Sequence, residues 1–175
     1  MDIRQAIPED LAAIRDFYNK QIDDMNATGY PTAWEKDNYP NGELLLDFIR
    51  RGELFLGIQD GEIIASMALN SRGNEVYKTV KWQVDIPEEE ALVLHLLTVS
   101  LERKGQGLGR EMIRFARAYG IDHGKQALRL DVHVTNLTAQ KLYEKTGFKN
   151  VDSVRMFYPG IGWHEFIMCE LPLAG

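Results

Sequence analysis

Eight consecutive residues, Arg103-Lys104-Gly105-Gln106-Gly107-Leu108-Gly109-Arg110, carry the strongest chemical signal in the chain. They follow an apolar run, 91–99, that reads as a buried strand, and they lead into 110–122, which reads as an amphipathic helix. Glycines let a main chain come close to a phosphate, and the first-turn amides of a helix have no acceptor within it. The helix dipole favours an anion at the same end. The segment therefore predicts a pyrophosphate site, anchored by charge-assisted hydrogen bonds worth roughly 1.5 to 3 kcal/mol each. Two familiar phosphate loops do not fit. A Walker loop needs Gly-Lys and then Ser or Thr, whereas the last glycine here precedes Arg110 and Glu111. A dinucleotide fingerprint needs a third glycine where Arg110 stands, after a βαβ start that the N-terminal residues lack.

The rest of the chain supplies the elements that must hold this loop. Residues 3–6 read as a short strand, and Pro8-Glu9-Asp10 opens a helix with Leu11, Ile14, Tyr18, Ile22 and Met25 at helical spacing. The stretch 27–41 is loop-like yet carries Tyr30, Trp34 and Tyr39, and a short helix follows at 43–51. Runs 54–58 and 63–69 flank Asp60-Gly61, a hairpin signal that predicts an antiparallel pair. The unbroken apolar run Ala91 to Val99 predicts a central strand covered on both faces. In the helix after the loop, Met112, Ile113, Ala116 and Tyr119 point to a core, and Arg110, Arg114 and Arg117 lie on other faces. Residues 127–134 form the next strand, and 137–145 a helix stopped by Gly147. A closing strand pair, 148–157 and 163–171, turns at Pro159-Gly160. The expectation is a mixed α/β sheet of about seven strands and four helices in one domain, 1–175.

Composition narrows the partners. At 175 residues, 45% hydrophobic and 26% charged, the chain is long enough for one sizeable core and has no disordered or collagen-like bias. Its 20 Lys and Arg against 26 Asp and Glu give a net charge of −6, which disfavours nucleic acid and anionic membranes as partners and suits a cationic small substrate. A single cysteine, Cys169, excludes a disulfide-stapled framework. The sequence shows no signal-type apolar core and no membrane-length apolar stretch, so the expected location is cytoplasmic.

The loop resembles the acyl-CoA-binding motif of the GNAT acetyltransferase superfamily, Arg/Gln-x-x-Gly-x-Gly/Ala at a strand-to-helix turn, with Lys104, Gly107 and Gly109 in the pattern and Leu97-Thr98-Val99 before it. Lys104 stands where the family has Arg or Gln, and Arg103 is its neighbour. A second match follows in the family's order: Leu130-Asp131-Val132, then Asn136, Ala139, Leu142-Tyr143-Glu144-Lys145 and Gly147-Phe148. The resemblance implies a GNAT fold with acyl-CoA in the splay between two parallel central strands, here 91–99 and 127–134. It implies that the backbone of Leu97 and Val99 holds the pantetheine arm and acetyl carbonyl. Amides from Lys104 through Gly105, Gln106, Gly107 and Leu108 to Gly109 would take the pyrophosphate, with Arg103 or Lys104 on phosphate. Asn136 would lie beside the pantetheine and Tyr143 near the sulfur, as general acid to the departing thiolate. The implied activity is transfer of acetyl from acetyl-CoA to a primary amine by direct attack in a ternary complex. The alternative is a non-catalytic acyl-CoA-binding or regulatory domain of the same fold.

Most of these residues also have a plainer reading. An amine attacking a thioester must first lose a proton, and the candidate bases are His95 and, at the strand entrance, Glu89 or Glu90. His95 is equally a hydrogen-bonded core histidine on the face of Val93, Leu97 and Val99, and Glu88-Glu89-Glu90 is equally a solvated run. Tyr143 could be core, and Asn136 could be a helix cap. Arg110, Arg114 and Arg117 either form an exposed face or meet the adenosine phosphates, while Trp34 and Tyr39 either close the core edge or wall the acceptor pocket. Asp131 and His133 share a strand face but lack a third ligand, and His164-Glu165 lacks a second His, so no metal is expected. Cys169 reads as inert core. The acceptor itself is unread in 27–52, 72–90 and 158–164. The edge of the closing strands could pair with a second copy to give a homodimer.

Overall fold

In a computed structural model of the chain, residues 1–29 and 32–173 are described; Tyr30, counted above among the loop aromatics, lies outside them. The strands are β1 (Asp2–Gln5), β2 (Leu54–Gln59), β3 (Glu62–Asn70), β4 (Ala91–Val99), β5 (Ala127–His133), β6 (Lys149–Tyr158) and β7 (Gly162–Pro172). The helices are α1 (Leu11–Ala27), α2 (Gly42–Arg50), α3 (Leu108–Asp122) and α4 (Leu137–Lys145). The sheet has seven strands in the order β1-β2-β3-β4-β5-β7-β6. The expected hairpin is β2 with β3, antiparallel, and the expected parallel pair is β4 with β5. Boundaries differ from expectation by a residue or two; α3 starts at Leu108, not Arg110, so Leu108 and Gly109 are already helical.

The chain falls into two compact units. The first comprises Met1–Ala68, Leu96–Met112 and Pro159–Ile161. Its core gathers Ile14, Phe17 and Tyr18 of α1, Leu45, Phe48 and Ile49 of α2, and Leu54 and Leu56 of β2. The helical spacing of Ile14, Tyr18 and Ile22 makes α1 bury one face, and Asn41 starts α2 by accepting the Leu44 N–H. Gln21 is a buried polar residue on the same face of α1, 1% exposed, and its Oε1 accepts the Leu101 N–H at 2.8 Å. That bond fixes where the chain leaves β4 for the glycine loop.

The second unit comprises Leu69–His95, Ile113–Tyr158 and Gly162–Gly175. Here β5 pairs β7 along its whole length, and β7 pairs β6. Its pairing with β4 covers only Ala91–Val93 against Ala127–Arg129. Gly120 on α3 packs closely, since a Cβ there would lie 2.7 Å from Leu173 Cδ1 and would make that side chain shift. A buried ion pair, Arg129 Nε to Glu170 Oε1 at 2.9 Å, joins β5 to β7. Glu170 also accepts the N–H groups of Gln83 and Val84, and the Arg129 guanidinium lies 4.5 Å from the Trp82 ring centre. The stretch 72–90, unread in the sequence, is thereby tied to the sheet.

The expectation that β4 is covered on both faces holds only for its first half. Ala91 to Leu94 are buried, whereas His95, Leu97 and Val99 are partly exposed and alternate with buried Leu96 and Thr98. The change coincides with Leu96, whose φ of 55° lies in the left-handed region that a branched side chain rarely adopts. The backbone departs from extended geometry at that residue.

Candidate active site

Within the first unit, the strand end and the glycine loop form a continuous local structure. The Ser100 N–H donates to the Ile64 carbonyl at 2.8 Å, and a tight turn at Leu101–Arg103 follows. Gly105 and Gly107 have φ of 86° and 78°, and a Cβ on either would meet nothing within 4 Å. Both glycines are thus demanded by backbone conformation and leave open space beside the main chain. The first intrahelical bond of α3 runs from the Glu111 N–H to the Gly107 carbonyl. By helix geometry the amides of Leu108, Gly109 and Arg110 precede any intrahelical acceptor and are the donors available to an anion.

The loop narrows the list of expected donors. The N–H groups of Lys104 and Gln106 donate within the turn, to the carbonyls of Leu101 at 3.2 Å and Arg103 at 3.3 Å. Arg103 lies 3.5 Å from Glu62 on β3, whereas Lys104 is exposed. Arg110, Arg114 and Arg117 are exposed along α3, and Met112, Ile113 and Ala116 are buried as expected, with Tyr119 partly so.

An aromatic series leads to the irregular residue of β4. The Tyr18 hydroxyl donates to the Leu96 carbonyl at 2.9 Å and lies 3.1 Å from Ser66 Oγ; burial holds its pKa above the usual phenol value. Trp34 packs on Tyr18 at 5.8 Å between ring centres, and Tyr39 packs on Trp34 at 6.5 Å. Trp34 and Tyr39 are partly buried against the first unit's core, which places them at the core edge. Asn38 Nδ2 donates to the Gly160 carbonyl at 2.8 Å, so the two segments expected to shape specificity touch at that point.

The other expected residues lie in the second unit. Asn136 caps α4 by accepting the Ala139 N–H at 3.1 Å. Tyr143, 7% exposed, stands on α4 with its ring edge-on to Phe148 at 5.6 Å. Glu90 sits at the entrance of β4, where its carboxylate is bonded by the Gln126 side-chain amide. His95 lies five residues further, about 17 Å along an extended strand. His95 Nε2 is 3.0 Å from Asn70 Oδ1, and that same oxygen accepts the Arg72 N–H at 2.9 Å. An oxygen already accepting from an amide can only accept from the imidazole as well, so Nε2 donates the hydrogen of that bond.

Sequence reasoning missed a cluster around Asp131 on β5. Its Oδ1 accepts from the hydroxyls of Tyr77 and Tyr158, each at 2.6 Å. Burial raises the carboxyl's pKa above the ordinary carboxylate value, against the lowering effect of the two phenols. Next along the strand face, His133 Nε2 is 3.1 Å from His164 Nδ1, and burial followed by the His164 charge lowers the His133 pKa. The signal was present as polar residues at 129, 131 and 133, alternating in a strand with buried Leu128, Leu130 and Val132. Among the described residues, no group of three or more His, Cys, Asp or Glu side chains is placed to hold a metal ion, and no helix is long and apolar enough to cross a membrane.

Comparison with known proteins gives the same fold. An acetyltransferase of the GNAT family from Streptococcus agalactiae superposes with a TM-score of 0.78 at 24% identity, covering 98% of this chain and 94% of that one. The protein yncA of Salmonella typhimurium, described as an acetyltransferase with its cofactor acetyl-CoA, gives 0.71 at 18% identity over 100% and 95% of the two chains. The ribosomal-protein-S18-alanine N-acetyltransferase of Escherichia coli gives 0.67 at 22% identity over 99% and 94%. No curated protein matches the sequence. The sequence pattern of the Acetyltransferase (GNAT) family matches residues 16–148, a span that takes in both the glycine loop and the segment from Asn136 to Phe148. With more than half of its length matched in this way, the chain belongs to the GNAT family of acetyltransferases.

Proposed function

We propose that the protein, acting as one domain over 1–175, is an N-acetyltransferase that moves the acetyl group of acetyl-CoA to a primary amine by direct attack. The observation that carries this reading is the glycine loop: two open, left-handed glycines followed by three helix-start amides with no intrahelical acceptor. The residues fit acetyl-CoA through that donor set. Leu108, Gly109 and Arg110 amides bind the pyrophosphate, Lys104 is the exposed cation beside it, and the backbone of Leu97 and Val99 holds the acyl arm. Asn136 serves the pantetheine, and the partly exposed second half of β4 is consistent with main chain left for a ligand.

In the reaction the amine nitrogen attacks the thioester carbonyl, the carbon–sulfur bond breaks, and the sulfur leaves as a thiolate that takes a proton from the Tyr143 hydroxyl. The acceptor ammonium loses one proton through His95 or water before attack, and the second nitrogen proton, released as the amide forms, returns to the Tyr143 oxygen through water. Glu90, about 17 Å from His95 along the strand, is the alternative base at the strand entrance. Positioning supplies roughly 7 to 11 kcal/mol of the barrier, whereas proton transfer contributes roughly 10² to 10⁴-fold.

The test is acetyl-CoA binding by calorimetry together with amine-dependent thiol release. Tyr143→Phe should bind acetyl-CoA with unchanged affinity and lose between about 10² and 10⁴ in kcat. An unchanged kcat removes Tyr143 as the acid. Binding without turnover on a broad amine panel favours the regulatory reading, and no binding removes the loop assignment.

A further inference from the structure

Three polar side chains alternate along β5, Arg129, Asp131 and His133, in the interior of the sheet order. A polar group so placed costs free energy unless it is partnered. Arg129 is committed to Glu170, to the Val84 carbonyl at 2.8 Å and to the Trp82 ring. His133 is shared between His164 and Thr135 Oγ1, the latter at 2.8 Å. Asp131 differs from both. Two neutral phenols fix its Oδ1, and among the described residues no lysine or arginine pairs with it. Its lone pairs on Oδ2 lie outside the tyrosine contacts, and the residue is partly exposed.

The strand register says where this carboxylate stands. The parallel pairing of β4 with β5 ends at Val93 and Arg129. His95 and Asp131 each lie two residues beyond that last pair, and the two-residue alternation within each strand puts them on the side of Val93 and Arg129. The His95 imidazole and the Asp131 carboxylate, which has no cationic partner among the described residues, therefore stand on β4 and β5 just beyond the last paired residues. The rings that hold the carboxylate are themselves packed, Tyr77 on Trp82 at 5.3 Å and Tyr158 on Phe166 at 5.4 Å. Two aromatic side chains thus stand beside the carboxylate, a setting that suits an alkylammonium group better than a strongly hydrated metal ion.

We propose that Asp131, held by Tyr77 and Tyr158, is the anionic anchor for the ammonium group of a cationic amine acceptor, on the face of the sheet that it shares with His95. This rests on the acetyl-transfer reading and adds to it the charge class of the acceptor and the residue that selects it. The amine docks as a cation on the carboxylate and loses its proton before attack. An acceptor that is uncharged at neutral pH gains nothing from Asp131.

The test uses the whole chain with acetyl-CoA and four nucleophiles: spermidine, L-lysine, an alanine-terminated peptide, and hydroxylamine, which is uncharged at neutral pH. The Asp131→Asn variant keeps an oxygen for both phenols and removes the charge. We expect its kcat/KM for the best cationic amine to fall at least tenfold, through KM, with the hydroxylamine rate and the KM for acetyl-CoA within twofold of wild type. An equal fall for charged and uncharged nucleophiles, or no fall, overturns the inference. In the wild type, which needs no variant to fold, tetramethylammonium should compete with the amine where neutral tert-butanol does not; absence of that competition also overturns it. Thiol release with hydroxylamine but with none of the cationic amines overturns this inference alone and leaves acetyl transfer standing, whereas failure to bind acetyl-CoA overturns the reading beneath it.

Discussion

Gly107 and Gly61 form a matched pair for testing the glycine loop. Gly107 has φ of 78° and Gly61, in the turn between β2 and β3, has φ of 77°. A Cβ on either would meet nothing within 4 Å. Alanine at either position therefore imposes the same conformational penalty, about 1 to 2 kcal/mol for an L residue in the left-handed region, and no clash. On the proposed reading, only at Gly107 does the new methyl enter the space through which a pyrophosphate approaches the loop amides. Losing one charge-assisted bond there costs about 1.5 to 3 kcal/mol, or about 10- to 150-fold in Kd. Urea melts and acetyl-CoA calorimetry on Gly107→Ala and Gly61→Ala separate the two effects. Both variants should lose similar stability, and only Gly107→Ala should bind acetyl-CoA more weakly. An acetyl-CoA Kd for Gly107→Ala within twofold of wild type refutes the loop's role, and equal weakening in both variants refutes the local argument.

Two further outcomes follow from buried groups. Arg129→Met leaves Glu170 charged and without its cation in a fully buried position, and should cost about 3 to 5 kcal/mol in urea unfolding, while Arg129→Met with Glu170→Leu should recover most of it. Burial, with a smaller effect from Asp131, pushes the Cys169 thiol from 9.0 up to about 12, which lowers its thiolate fraction about a thousandfold at pH 8. Native protein should therefore react slowly with a thiol reagent at pH 8, and the single thiol per chain should react at once in denaturant; a fast native reaction would show the site to be open.

How far the sequence could be read depended on how local each determinant is. The glycine loop was legible because its requirements are local: positive φ at Gly105 and Gly107, and free amides at the start of the next helix. The same holds for the Asp60-Gly61 hairpin, the Asn136 cap and the buried face of α1. The long apolar run 91–99 gave the strand but not its change of character at Leu96. That residue's left-handed conformation is maintained in a context that includes the Tyr18 hydroxyl on its carbonyl, a partner 78 residues away.

Periodicity and turn chemistry, which act over a few residues, determined the elements, their order and the conformation of the glycine loop of this protein. Only the tertiary structure decided which polar side chains meet. Asp131 finds Tyr77 and Tyr158 across 54 and 27 residues, Arg129 finds Glu170 across 41, and His95 finds Asn70 across 25. Such pairs leave no spacing in the sequence, because a hydrogen bond depends on distance in space and the fold brings together residues whose separation along the chain is arbitrary. The charge class of the acceptor is therefore argued from the packed sheet, while the acyl donor could be argued from eight consecutive residues.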